Sequence, residues 1–221
     1  ALVGPRGLAV GIDLAAAHAR AARAELGPAG PAVLQADLTA APLRPASFDL
    51  VWCANTINHL KDRLAGARAI AGLLRPGGRL ALGQSLMLPE LIFAWDARLE
   101  RAVDDAVRRF YRERYGLEER DTSAIRALVG LLRDAGLHDV TARTVVIERV
   151  APLPPEAQAY ILEAVFQRTW GERLRPYLSA DDYAAMADLI DPAGPGFCLR
   201  RPDFHYMQTF TVVTGTVAPA P

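Results

Sequence analysis

Lysine is almost absent from this 221-residue sequence. Lys61 is the only one, and arginine carries nearly all the positive charge. Lys and Arg together number 25 and so do Asp and Glu, which leaves a formal net charge of zero. A neutral balance argues against a surface specialised for nucleic-acid phosphate, so no nucleic-acid partner is expected. Cysteine is nearly missing too. Cys53 and Cys198 are too few for a disulfide framework and show no metal-ligand spacing, so no metal site is expected and the reducing cytoplasm is the default compartment. No apolar run is long enough to span a bilayer, which excludes a membrane helix. Internal repeats and long low-complexity tracts are absent as well. A native start is also lacking: the sequence begins with Ala1 rather than methionine, so residues upstream are expected, and a targeting segment among them stays open.

What is present is ordinary for a globular protein: 51% apolar and 23% charged residues. The richness in Ala, Arg, Gly and Pro points to a GC-rich, bacterial coding sequence. "LAVGID" (8–13) is a continuous apolar run, as buried parallel strands are, and residues 15–26 read as a helix stopped by Gly27-Pro28. "AVLQAD" (32–37) and "FDLVWCAN" (48–55) are further strands, the latter with an apolar core "LVWCA". Leu60, Leu64, Ala67, Ala71 and Leu74 make one helical stripe, with Asp62 near its start, Arg75 at its end and Pro76-Gly77-Gly78 stopping it. "RLALGQS" (79–85) follows as a fourth strand. This alternation predicts an α/β fold with a mostly parallel sheet.

Beyond it the pattern changes. Leu91, Trp95, Leu99, Val103, Val107 and Phe110 predict one long amphipathic helix, or two in series, between Leu88 and Tyr115. Residues 122–135 read as a helix with Thr122 as N-cap candidate and Gly136 behind its end, and 139–150 as a strand. Pro155 opens a helix running to about Trp170, "SADD" (179–182) is a capping-box-like start, and 204–217 is a long final strand with Phe204, Tyr206 and Phe210 on one face.

In open parallel sheets, ligands bind beyond the C-terminal strand ends. Three such ends are polar: Asp13, Asp37, and Asn55 with Thr56. A carboxylate after the second strand of a nucleotide-binding sheet can accept from both hydroxyls of a ribose. An acid on the next strand can accept from an adenine amino group, with the Leu38 N–H facing the ring. Each acid has a second reading: Asp13 as the N-cap of the helix after it, Asp37 as a turn-former before "LTAAP".

"VGID", then "QADLTAAPLRPASFDLVWCAN", then "LLRPGGRLALGQS" resemble the second to fifth strand motifs of class I S-adenosylmethionine-dependent methyltransferases. The resemblance spans residues 3–85, and "LLRDAGLHDVTARTVV" and the last strand resemble that family's final helix and strands. It implies a Rossmann-like sheet of order 3-2-1-4-5-7-6 with an antiparallel last strand, in which the strand at 8–13 is the second. The first strand and its glycine-rich loop have no counterpart in the sequence and are expected upstream. It further implies S-adenosyl-L-methionine as cofactor, bound by Asp13 at the ribose hydroxyls, Asp37 and Leu38 at the adenine, and Ala54 and Asn55 along the methionine portion, with Leu14 also cofactor-binding. One domain is expected over 1–221, with core segments 1–87, 121–150 and 204–217. The insertions 88–120 and 151–203 resemble helical substrate caps of bacterial small-molecule methyltransferases.

The implied reaction is in-line methyl transfer under the cap to a small molecule, of O, N or C type, in secondary metabolism. His59, beyond the strand at 48–55, is the candidate base, with a second reading as a helix-start residue. Gln84, Trp95, Tyr111 and His205 are candidate substrate contacts; Trp95, Tyr111 and Trp170 also read as packing aromatics. The oligomeric state stays open, a homodimer included. Two other functions stay open: a nicotinamide-dependent oxidoreductase on a doubly wound sheet, and a methyltransferase-fold protein that transfers no methyl group.

Overall fold

The strands fall into two sheets. The computed structural model describes residues 3–4, 7–28, 30–85, 90–92, 95–116 and 125–219. β1 (Val10–Asp13) and β2 (Ala32–Gln35) form a parallel two-stranded sheet, with α1 (Ala16–Leu26) as the crossover between them. A second sheet has the order β3 (Phe48–Ala54), β4 (Leu74–Ser85), β7 (His205–Thr216), β5 (Glu90–Ile92), with β6 (His138–Val150) also paired to β7. In the expected numbering this reads 3-2, a break, then 4-5-7-6. The break lies where that order puts its first strand.

Its effect is visible in burial. Leu50 and Trp52 of β3 are 55% and 53% exposed, and every residue of β1 is only partly covered. The expectation of a buried strand at 8–13 is therefore corrected, and the apolar core of the strand at 48–55 is in part exposed: the sheet is divided between β1 and β3.

The chain forms two compact units: 1–82, 129–141 and 213–221; and 83–128 with 142–212. In the first, α2 (Arg63–Ala71) buries Ala67 and Ile70, and β4 buries Leu80, Ala81 and Leu82. Asp62 caps α2 as expected, accepting from Ala65 N–H at 2.8 Å. The helix ends earlier than its apolar stripe, at Gly72, and Leu74–Gly78 are already strand. Gly77 N–H donates to Val217 O and Val217 N–H to Gly78 O, so distant β7 draws the Pro-Gly-Gly segment into the sheet. A Cβ on Gly78 would lie 2.8 Å from Arg75 O and 3.0 Å from Phe48 O, so any larger residue would force the backbone to shift.

The second unit is built around one apolar cluster that includes Leu99, Val103, Phe166, Trp170, Met186, Phe204 and Tyr206. The long helix expected from Leu88 starts only at Ala97: α3 spans Ala97–Tyr115, with Asp96 accepting from Leu99 N–H at 2.8 Å. Ahead of it, β5 pairs antiparallel with β7, Ile92 opposite His205. α4 (Leu128–Asp134) follows a short 3-10 turn, and the Thr122 cap lies outside the described residues. α5 (Pro155–Tyr160) passes into a π-helix, Ile161–Gln167, and then a 3-10 segment, Gly171–Tyr177. α6 (Ala180–Ile190) opens on the expected Ser179 cap, whose Oγ accepts from Asp182 N–H at 3.1 Å. Thr141 faces Thr214 and Thr144 faces Thr211, partners running in opposite directions, as an antiparallel β6–β7 pair requires.

A two-stranded sheet is marginal by itself. In this 221-residue chain, backbone amides of β1 and β2 should exchange with deuterium well before those of β4. Equal protection in the two sheets would contradict the division.

Candidate functional site

The first cluster of candidate residues follows from strand register. β1 and β2 run parallel with Asp13 opposite Gln35, and Ala36 N–H continues the ladder to Asp13 O at 3.1 Å. Asp13, Leu14, Asp37 and Leu38 therefore share one C-terminal sheet edge. Gln35 Nε2 ties the edge by donating to Leu14 O at 3.4 Å. Leu14 itself is 70% exposed, a large apolar side chain left open beside two acids.

Asp13 combines both of its readings. Its Oδ1 accepts from Ala15 N–H at 2.7 Å, which organises the start of α1 although the cap position itself is Ala15. Its Oδ2 lies 3.4 Å from His18 Nδ1, and the side chain is 44% exposed. An ionised carboxylate offers about four lone-pair directions. With two contacts made and almost half its surface open, Asp13 retains capacity to accept from a diol, so the carboxylate fits a ribose.

Asp37 makes the turn its second reading describes. Its Oδ1 accepts from both Thr39 N–H, at 2.8 Å, and Thr39 Oγ1, at 2.7 Å, which caps a 3-10 turn at Leu38–Ala40. The Thr39 hydroxyl, then the Thr39 amide, hold the Asp37 carboxyl below the usual carboxylate range. The turn also sets the direction in which Leu38 leaves the sheet edge.

At the end of β3, Ala54 O accepts from Thr56 Oγ1 at 2.9 Å, and Asn55 adopts the left-handed conformation at φ 49°. Asparagine tolerates that region better than most residues. The sharp turn brings in the 3-10 segment Ile57–His59, where Ile57 is buried and pins the loop. His59 keeps an exposed edge while its ring is partly desolvated, and that loss of water pushes its pKa down. It is thus disposed to be neutral. Cys53 is pushed the other way, to a higher pKa, mainly by burial. It is a poor nucleophile, as expected for a strand cysteine.

The remaining candidates belong to the second unit, each with its own partners. Gln84 is 7% exposed on β4; its Nε2 donates to Ser85 O at 3.2 Å, and its Oε1 is buried without a partner among the described residues. Trp95 stands just before α3, with its ring centroid 5.1 Å from that of Trp170. Tyr111 on α3 is edge-on to Phe110 and stacked near Tyr115, and burial raises its pKa. His205 Nε2 meets Glu148 Oε1 at 2.6 Å. Sequence reasoning did not find a neighbouring polar group: the Tyr160 and Tyr206 hydroxyls both donate to Gln208 Oε1, at 3.2 and 3.0 Å. The alternation of Tyr206 and Gln208 on one face of β7 is the signal that would have paired them. Among the described residues, no group of His, Cys, Asp or Glu could hold a metal ion, and no helix is long and apolar enough to cross a membrane.

The Asp37 turn generates a titration test. A folded pKa held down adds stability above the ordinary carboxylate range, which is lost as pH falls through the lowered value. Thr39→Val removes the hydroxyl, so the Asp37 carboxyl signal in a carbon-13 NMR titration should move to higher pH. An unchanged midpoint would mean the hydroxyl does not hold it.

Comparison with known proteins gives the same direction. The family described as "Methyltransferase domain" matches residues 2–82, the stretch that carries Asp13, Asp37, Asn55 and His59. The 27-O-demethylrifamycin SV methyltransferase of Amycolatopsis mediterranei is 48% identical over 54 residues, which are 24% of this chain and 20% of that protein. The chain therefore matches only about a fifth of that relative's length. A Bacillus halodurans protein assigned as a methyltransferase superposes over 96% of this chain and 83% of its own, with TM-score 0.50 and 13% identity, a likeness of fold. Residues 2–82 are thus similar to a methyltransferase domain, and the fold is similar to that of a solved protein assigned as a methyltransferase.

Proposed function

We propose that this protein transfers a methyl group from S-adenosyl-L-methionine to a small-molecule acceptor. The observation that carries the reading is the pair of acids, Asp13 and Asp37, side by side at the C-terminal edge of a parallel strand pair. The cofactor supplies an electrophilic methyl on a positively charged sulfur, open to in-line displacement. Asp13 accepts from the ribose hydroxyls with the lone pairs that Ala15 N–H and His18 leave available. Asp37 accepts from the adenine amino group while Thr39 fixes its carboxylate, and the Leu38 N–H faces the ring. Ala54 and Asn55, at the turn after β3, line the methionine portion.

The acceptor needs a base only if it must lose a proton on attack. His59 takes that proton on a ring nitrogen, since its desolvated ring favours the neutral form. Gln84, Trp95, Tyr111 and His205 contact the acceptor, and residues 88–120 and 151–203 cap one domain and exclude water. The Amycolatopsis mediterranei relative and the richness in Ala, Arg, Gly and Pro support a bacterial setting in secondary metabolism, and the two unpaired cysteines support a cytoplasmic one.

Two outcomes are expected. Calorimetry on the full-length protein should detect S-adenosylhomocysteine, and Asp13→Ala should weaken it by roughly 1–3 kcal/mol, the cost of a lost charge-assisted hydrogen bond. Binding of a nicotinamide dinucleotide instead would overturn the reading. For His59, His59→Ala should lower kcat by about 10²–10⁴-fold. With a folded pKa pushed down, the wild-type rate should hold until pH falls below the ordinary histidine value. An unaltered kcat in the variant removes His59 from the chemistry.

A further inference from the structure

Asp13 meets a partner at each of its oxygens, and the second partner is His18. Oδ1 accepts from Ala15 N–H at 2.7 Å, while Oδ2 faces His18 Nδ1 at 3.4 Å. His18 is the third residue of α1, and the N-cap residue Ala15 makes no side-chain cap. Side chains in a helix lean toward its N-terminus, so a residue in the first turn reaches back to the chain that enters the helix. Between Asp13 and His18 stand Leu14 and three alanines, Ala15, Ala16 and Ala17. Leu14 is exposed, and the alanines are too short to come between imidazole and carboxylate. Sequence spacing and helix geometry together produce the contact.

Its place matters for a diol. A carboxylate tied at one oxygen still turns about its Cβ–Cγ bond, because torsions of this kind have broad wells. Tied at both oxygens by groups on one helix start, it does not turn. Ala15 N–H and His18 both belong to the start of α1, so the helix itself sets the carboxylate plane. The 3.4 Å separation lies beyond the usual N–H···O range, but the imidazole is 74% exposed. Little packing opposes the small rotation that shortens it. A neutral histidine that meets a carboxylate through Nδ1 must carry its proton there. That is the less common tautomer of a free imidazole, so the contact leaves a signature.

We propose that His18 is a positioning residue for the ribose of the cofactor. Through its Nδ1–H it fixes the Asp13 carboxylate in the orientation that leaves an open lone pair on each oxygen. The diol then finds both acceptors already set, which removes an ordering cost from binding. The positioning role rests on the proposed reading of Asp13 as the ribose acid; the His18–Asp13 bond itself does not.

Nitrogen-15 NMR of the full-length protein without ligand reads the tautomer, at about pH 8, above the ordinary histidine range. The His18 signal, assigned by its loss in His18→Ala, should show the proton on Nδ1, and Asp13→Ala should return it to Nε2. Calorimetry reads the consequence. His18→Ala suits a helix and should weaken S-adenosylhomocysteine about three- to tenfold, the worth of one hydrogen bond. His18→Asn, which keeps an N–H donor at the δ position, should recover most of that loss. In the Asp13→Ala background, His18→Ala should cost nothing more, because His18 acts through Asp13. A proton on Nε2 in the wild type, no recovery in His18→Asn, or an equal loss in the Asp13→Ala background would overturn the proposal. Binding by the wild type with an unaffected His18→Ala rejects the positioning role alone. No binding of S-adenosylhomocysteine by the wild type rejects the methyltransferase reading, whichever nitrogen carries the proton.

Discussion

The parallel register of β1 on β2 is the constraint on which the cofactor reading depends. Asp13 and Asp37 are 24 positions apart in the chain, and only the pairing of Asp13 with Gln35 sets them on one edge. A slip of one residue would reverse the faces of β2 relative to β1 and change where Asp37 leaves the sheet. Each acid then uses one oxygen for local backbone: Asp13 at the start of α1, Asp37 at the turn after β2. This local work is compatible with binding, because it fixes the carboxylates before a ligand arrives and lowers the ordering cost of recognition.

Much of this was legible in the sequence where the signal was local. The Asp62 cap, the Ser179 cap and the proline at the start of α5 each depend on neighbours within a few residues. The acids at strand ends were legible for the same reason, since a short apolar run ending in a carboxylate already fixes their place. The errors came from non-local pairing. Leu74 continues the apolar stripe of α2, yet hydrogen bonds from Val217, far along the chain, make this segment strand. Leu91 fits the period of α3, yet Leu91 pairs across from Tyr206 as strand and Asp96 starts the helix later. The Asp96 cap was visible in the sequence and would have corrected the boundary.

The second unit follows a different logic. Its core is held by aromatic and aliphatic packing around Phe166 and Trp170, with polar ties at the surface such as Arg98 to Asp182 at 2.7 Å. The π-helix has no simple sequence signature, because the apolar residues of 161–166 satisfy an ordinary helix equally well. For that reason residues 155–170 read as one continuous helix in the sequence. Trp170 packs against both Trp95 and Phe166, as its packing reading describes.

The central claim is that Asp13 reads a ribose at the end of β1. A crystal structure of the full-length protein with S-adenosylhomocysteine tests it most directly. The Asp13 carboxylate should lie within hydrogen-bond distance of both ribose hydroxyls, with Asp37 and Leu38 at the adenine. An adenosine bound away from this edge, or Asp13 turned wholly to Ala15 and His18 beside an uncontacted ribose, would contradict it.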